Sequence, residues 1–379
     1  MPSPAVQLQQ LKAEGLLRGL QPLDSPAGPQ VIRAGKQLWN FASNDYLGLA
    51  RHPEIEAALI EGVRRYGAGA TASRLVCGTL PPHKMLEDEL AAAKQSTAAL
   101  VFSSGFATAL GVIPAVVTKT DFILLDKLCH ASLVDGARLS GATLRVFPHN
   151  DLAKLASLLA STRAKAAQAR ILVVTEAVFS MDGDLCPLRE ITNLVEAHDA
   201  LLLLDEAHGF GVLGEFGMGL AEQEHLQQRV TFQMGTLSKA AGLAGGYLAA
   251  SREWIDLLTN RARSFIYSTA PPPGVAHAAV TALRLMRAPA GQELRRQLQT
   301  NIARIANSPT PIIPVVVGSN EAVLTASAAL ADHGLLVPAI RFPTVPRGTA
   351  RLRISISAAH PEAALSALAA AIHGGVVKS

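Results

Sequence analysis

Lys239 is the only charged residue between Val230 and Ala250, in the turn Gly235-Thr236-Leu237-Ser238-Lys239-Ala240-Ala241-Gly242. A lone lysine in a loop is ordinarily a solvated surface group. Among small apolar neighbours its ammonium form is disfavoured, and a neutral amine is a nucleophile that condenses with carbonyls. Thr236 and Ser238 carry hydroxyls that suit a phosphate at the same turn. The segment reads as an imine-forming lysine beside an anion site.

Asp205-Glu206-Ala207-His208 follows the apolar run Leu201–Leu204. As a helicase-type nucleotide-hydrolysis box it would need a G-x-x-x-x-G-K-[ST] loop, and the sequence contains none. The other reading gives one ligand two groups: Asp205 for a protonated pyridine nitrogen, His208 for a phenolic oxygen. Gly209–Gly214 matches G-x-G-x-x-G, but Gly217 and Gly219 continue it as loop; Gly67–Ala72 nearly matches and follows a helix. Neither fits a dinucleotide turn, which needs strand, turn and helix in order.

Ser103-Ser104-Gly105-Phe106 reads equally as a plain helix cap or as an anion site built on helix N–H groups. His130 precedes a helix and could stack on a flat ring, although a lone histidine is more often structural. Arg353 could grip a carboxylate through two bonds. Its strand alternates Arg351, Arg353, Ser355 and Ser357 with Leu352, Ile354 and Ile356, predicting a half-buried strand with Arg353 on the exposed face. Each feature alone has an ordinary explanation. Together they are the parts of a pyridoxal-phosphate enzyme acting on an amino acid.

These residues need a frame. Apolar runs predict strands at Leu38–Phe41, Ala98–Phe102, Phe122–Leu125, Thr143–Phe147, Ile171–Thr175, Leu201–Leu204 and Val230–Met234. Helical patterns at Val6–Leu20, Pro53–Tyr66, His83–Lys94, Ala107–Val117, Ala131–Leu139, Asp151–Leu159 and Leu188–His198 are interleaved with them. Such alternation predicts an α/β fold, a mostly parallel sheet covered by helices, with ligands at the strands' carboxyl ends. Gly105, His130, Glu176, Asp205 and Lys239 all fall there. Pro271-Pro272-Pro273 suggests a boundary, giving an N-terminal arm over 1–45, a large domain over 46–270 and a smaller C-terminal α+β domain over 271–379. The latter carries strands at Ile312–Val317 and Ala350–Ser357 and a helix near Glu321–Leu330.

Of 379 residues, 49% are apolar and 17% charged, so the chain is globular, and a net charge of +4 without basic–aromatic runs argues against a nucleic-acid partner. Cys77, Cys129 and Cys186 are odd in number and lack zinc-site spacing, which fits reduced thiols in a cytoplasm and no metal. Residues 1–10 show no export signal, and no apolar run is long enough for a membrane span.

Eight ordered motifs resemble the α-oxoamine synthase family of fold-type-I pyridoxal-phosphate transferases: S-N-D-Y-L-G at Ser43–Gly48, S-G-F at Ser104–Phe106, H-A-S-L at His130–Leu133 and T-E-A-V-F-S-M-D-G-D at Thr175–Asp184. D-E-A-H-G at Asp205–Gly209, T-L-S-K at Thr236–Lys239, I-Y-S-T at Ile266–Thr269 and I-R-F-P-T-V-P-R-G-T-A-R-L-R at Ile340–Arg353 complete the series. The resemblance implies that Lys239 holds pyridoxal 5′-phosphate as an imine and that Asp205 pairs with the ring nitrogen. It implies that His208 and Ser180 contact the cofactor and that His130 stacks on it. It gives Gly105, Phe106 and Thr236 to the phosphate or ring, and Ser268 or Thr269 to a neighbouring subunit's phosphate, hence a homodimer. It makes Arg18 and Thr344 substrate contacts and Arg353 the α-carboxylate arginine, with Arg341 a second candidate. It places Glu176 and Asn44 toward the acyl-thioester end. Departures are Ala109 where relatives often carry Asn, Ser238 where Gly is frequent, and a short segment near Gln299–Ile312.

The last motif is most like the family's biotin-pathway members. That implies decarboxylative condensation of L-alanine with a pimeloyl thioester on coenzyme A or a carrier protein, with His130 and His208 polarising the new carbonyl. Glycine with acetyl- or succinyl-CoA, or serine with long acyl groups, are the alternatives within the family. A cofactor-free binding module is the alternative outside it.

Overall fold

Arg33 and Lys36 face each other at the end of a two-residue loop, Ala34-Gly35, whose φ angles of +50° and +71° suit a hairpin that follows the right-handed strand twist. The loop joins β1 (Gln30–Arg33) to β2 (Lys36–Asn40). In this computed structural model residues 2–373 are described. Met1 and residues 374–379, the ends of the expected arm and C-terminal domain, lie outside them.

The chain next builds one seven-stranded sheet from β3 (Ala98–Phe102), β4 (Phe122–Asp126), β5 (Thr143–Phe147), β6 (Ile171–Glu176), β7 (Leu201–Asp205), β8 (Phe232–Thr236) and β9 (Gly246–Ala250). Their order is β3-β9-β8-β7-β6-β4-β5, and only β9 runs against the others. Every residue of β6 is buried, so both faces of the sheet are covered, because successive side chains point to opposite sides. Helices Gly105–Val116, Ala131–Leu139 and Arg252–Arg261 pack as one group, and Leu152–Lys165 and Leu188–Ala197 as another. Sequence periodicity anticipates six of these strands. It misses β9, whose Gly-Tyr-Leu-Ala-Ala is short and Gly-flanked, and it starts β8 at Val230, two residues early.

The remaining strands form a smaller sheet in which β13 (Ala350–Ser355) lies between β10 (Ile312–Gly318) and β12 (Ala339–Ile340), while β11 (Leu335–Leu336) joins β2. All six residues of β13 are buried, which corrects the half-buried expectation. Arg353 is 4% exposed. The alternation is real, but the polar face is covered by polar partners instead of water.

Two compact units result. The larger holds Leu49–Ser180 and Asp184–Arg295; the smaller holds Met1–Gly48, Met181–Gly183 and Arg296–Ser379. The boundary falls beyond Pro271-Pro272-Pro273 because Pro273 opens a helix, Pro273–Arg287, that packs on Pro53–Tyr66 and Pro81–Ala93 within the larger unit.

Candidate active site

Register brings two acids together at the carboxyl edge of the large sheet: Glu176 pairs with Asp205 across β6 and β7, and Asp205 with Met234 across β7 and β8. Both acids are buried. Burial pushes the Glu176 carboxyl up, and the neighbouring Asp205 charge adds to that, against the pull of the His130 N–H and Lys239. Burial likewise raises Asp205, opposed by Lys239, the Ala207 N–H and His130. The Ala207 N–H donates to Asp205 Oδ1 at 2.9 Å, and the His130 N–H donates to Glu176 Oε1.

Lys239 lies in a closed loop after β8, fixed by Leu237 N–H to Gly245 O and Gly242 N–H to Lys239 O, both 2.9 Å. Gly242 has φ +69°, and a Cβ there would come within 2.4 Å of Ala50 N, so glycine is required twice over. Lys239 Nζ lies 2.8 Å from His208 Nε2. The lysine is half-buried and shares its cavity with Asp205 and Glu176. The apolar surroundings expected from its own segment are thus corrected: the neighbouring strands supply two acids that the local sequence cannot reveal.

The cavity encloses about 260 Å³. One end is lined by Ser104, Gly105 and Phe106, where helix Gly105–Val116 begins. The Ser104 hydroxyl accepts the Ala107 N–H at 3.0 Å, and the N–H groups of Gly105 and Phe106 have no acceptor in the helix's own pattern. Thr236 and Ser238 line the same cavity. The Thr236 hydroxyl donates to Gly245 O (2.8 Å), so at 2.8 Å from Ser238 Oγ it is the acceptor. Thr236 therefore braces the turn, and the exposed Ser238 supplies the rotatable hydroxyl.

His130 stands at the mouth, its ring edge-on to Phe106 at 6.5 Å. Its Nδ1 accepts the backbone N–H of Ser132 at 3.2 Å and lies 2.8 Å from the Ser132 hydroxyl, which puts the proton of the neutral ring on Nε2. Packing around the ring lowers its pKa, with Lys239 acting in the same direction and Asp205 and Asp135 against it.

The structure therefore gathers Gly105, Phe106, His130, Glu176, Asp205, His208, Thr236 and Lys239 in one cavity. Ser180 is buried and is not among the residues that line the cavity. Ser268 and Thr269 also lie elsewhere in the larger unit, where Thr269 bridges to Ser73 and the Ser268 hydroxyl donates to Thr269 O at 3.4 Å. Arg18, Asn44, Arg341, Thr344 and Arg353 belong to the smaller unit. There Arg18 donates to Phe342 O and Thr344 Oγ1, both at 3.4 Å, and Arg341 to Gly15 O. Arg353 Nη1 donates to Asn44 Oδ1 (3.0 Å) and Ser355 Oγ (2.8 Å), and its Nη2 lies 3.4 Å from the Tyr46 hydroxyl. Sequence reasoning assigned no role to Ser132, Ala207 and Met234 in the lining or to Tyr46 beside Arg353, although the H-A-S-L, D-E-A-H-G and S-N-D-Y-L-G strings contain Ser132, Ala207 and Tyr46. Among the described residues no cluster of His, Cys, Asp or Glu could hold a metal ion, and no helix is long and apolar enough to cross a membrane.

A family model described as aminotransferase class I and II matches residues 36–372. The chain belongs to that family. It is 46% identical to an 8-amino-7-oxononanoate synthase of Geobacter sulfurreducens, over 97% of this chain and 96% of the relative. It is 47% identical to one of Anaeromyxobacter dehalogenans, over 97% and 93%. A solved serine palmitoyltransferase from S. paucimobilis, with bound PLP, superposes with a TM-score of 0.90 at 28% identity, covering 98% of this chain and 97% of that one. The fold is that of the fold-type-I pyridoxal-phosphate transferases, and the chain is a pyridoxal-phosphate-dependent acyltransferase. The cavity fits that cofactor on its own terms. It offers N–H and hydroxyl groups at one end, a flat histidine at the mouth, and a buried acid with a lysine further in.

Proposed function

We propose that the chain condenses L-alanine with a pimeloyl thioester, with loss of the alanine carboxylate, to give 8-amino-7-oxononanoate for biotin synthesis. The observation that carries this reading is the Lys239 amine, 2.8 Å from His208 and in one cavity with Asp205, in a chain nearly half identical to enzymes of that name. Pyridoxal phosphate, when bound, supplies an electron sink for the bonds at an amino acid's α-carbon.

The chain's own groups do the rest. Gly105, Phe106, Ser238 and the brace Thr236 hold the phosphate, Ser180 and His130 seat the ring, and Asp205 keeps a proton on the ring nitrogen. Lys239 Nζ takes the proton from the alanine α-carbon, with His208 orienting the amine. His130, protonated at Nε2, and His208 donate to the carbonyl oxygen that forms. Arg353, held by Asn44 and Ser355, takes the amino-acid carboxylate. Arg18, Thr344 and Arg341 serve substrate binding, and Glu176 and Asn44 the acyl end. Ser268 or Thr269 reaches the phosphate of a second copy in a homodimer. The enzyme works in the cytoplasm with coenzyme A or a carrier protein as acyl donor.

Alanine, glycine and serine, each tried with pimeloyl-, acetyl- and palmitoyl-CoA, test the assignment by product mass. Alanine with pimeloyl-CoA is expected to give the highest kcat/KM. Glycine with acetyl-CoA winning would overturn it. Serine stays in the panel because of the structural likeness to serine palmitoyltransferase.

A further inference from the structure

His149 lies outside the cavity, just past β5, and is used by no step above. Its Nδ1 is 3.1 Å from Asp126 Oδ1 and its Nε2 is 2.7 Å from Asp184 Oδ2. Asp126 leads into the turn that carries His130, and Asp184 lies in the loop that carries Ser180. Asp126 ends β4 and is fully buried; its Oδ1 also accepts the Leu128 N–H at 2.9 Å, and its backbone oxygen accepts the Cys129 N–H at 3.1 Å. That turn delivers His130, whose N–H meets Glu176. Asp184 closes the loop after β6: its backbone oxygen accepts the Phe179 N–H at 3.0 Å, next to Ser180. The Phe179 ring stands edge-on to the His149 imidazole at 4.3 Å.

We propose that His149 is a positioning residue which, by bridging Asp126 and Asp184, holds the His130 turn in place at the mouth of the cavity. Carboxylate oxygens only accept, so an imidazole facing one with each nitrogen donates twice when it carries both protons. Burial would strip one proton, but the hydrogen bonds and charges of Asp126 and Asp184 outweigh it and raise the pKa to about 10. Asn150 completes the tie from the next position: its N–H donates to Asp126 Oδ2 at 2.8 Å and its amide to Asp184 Oδ2 at 3.2 Å. The bridge is therefore present throughout the neutral range. It acts through His130 and rests on the reading of His130 as the residue that seats the cofactor ring.

The test is a double-mutant cycle in the holoenzyme between His149→Gln and His130→Ala, with kcat/KM for the amino acid and the visible circular dichroism of bound cofactor as readouts. His149→Gln is expected to lower kcat/KM about tenfold and change the dichroic band, yet to cost less than about twofold more once His130 is Ala. In the apoenzyme it is expected to speed amide exchange at residues 127–130. The same cost in both backgrounds would overturn the proposal and leave His149 a residue that merely holds the fold. If His149→Gln does not fold, Asp184→Asn, which weakens one arm of the bridge, takes its place in the same cycle. An unchanged kcat/KM and band in His130→Ala alone would instead remove the role given to His130, and this inference with it.

Discussion

A single substitution separates the roles of the two buried acids from their cost. An acid whose folded-state value is raised holds its proton more tightly when folded. Its penalty is thus absent below the ordinary carboxylate range and grows as pH rises through the raised value. Glu176 is in that position. Glu176→Gln keeps an acceptor for the His130 N–H and removes the charge. It is expected to stabilise the apoenzyme by about 1–2 kcal/mol at pH 8 and by little at pH 4, measured by Tm. Its activity is expected to fall, since the destabilising charge stands at the cavity. Lys239→Ala is expected to remove the cofactor's visible absorbance and to lower kcat by at least roughly 10²–10⁴-fold, the usual worth of a positioned base. At this scale the sequence was most readable. Lys239 drew notice by its uncharged setting, whereas Asp205 and His208 had ordinary explanations alone and gained weight only beside the other motifs. The acids around Lys239 come from other strands and are invisible in its own segment.

Elements were readable where one periodicity ruled. The strands β3 and β7 are built on continuous apolar runs and were found almost to the residue. β9 escaped because Gly246-Tyr247-Leu248 follows a glycine-rich loop and offers too few residues for a pattern. Yet β9 decides the shape of the anion end: a Cβ at Gly246 would lie 2.4 Å from Ser104 C and from Thr108 Oγ1. Gly246→Ala is expected to destabilise by about 1–3 kcal/mol, the ordinary cost of overpacking, and to weaken cofactor affinity severalfold. Titration of the apoenzyme with pyridoxal phosphate would check the second effect. β13 was misjudged for a different reason. Alternation tells which residues share a face, not whether water or another polar group covers it, and Asn44 and Tyr46 cover Arg353 on this one.

For the whole molecule, two histidines set opposite pH limits. His360 is buried and pulled down to about 4, chiefly by burial. Its Nδ1 accepts the Ser357 N–H (3.0 Å) and its Nε2 faces Asn40 O (2.9 Å), so a second proton has no acceptor. The unfolded state binds that proton first, so stability in the smaller unit is expected to be lost as pH falls from about 6.5 to about 4. His149, raised to about 10, behaves oppositely: its contribution to the larger unit is complete below about 6.5 and is lost as pH rises toward 10. Tm measured from pH 4 to 10 should form a plateau near neutrality, and His360→Gln should flatten its acid side.

The smaller unit is assembled from the two extremes of the chain. Leu335 pairs with Trp39, and the Ser355 N–H donates to Phe41 O at 2.9 Å, so the first strands are completed by some of the last. On the ribosome the nascent β1–β2 hairpin must wait for roughly three hundred further residues, on the order of tens of seconds at ordinary elongation rates. Through that interval β2 presents an open edge, which makes this hairpin the natural client of a chaperone while synthesis is under way.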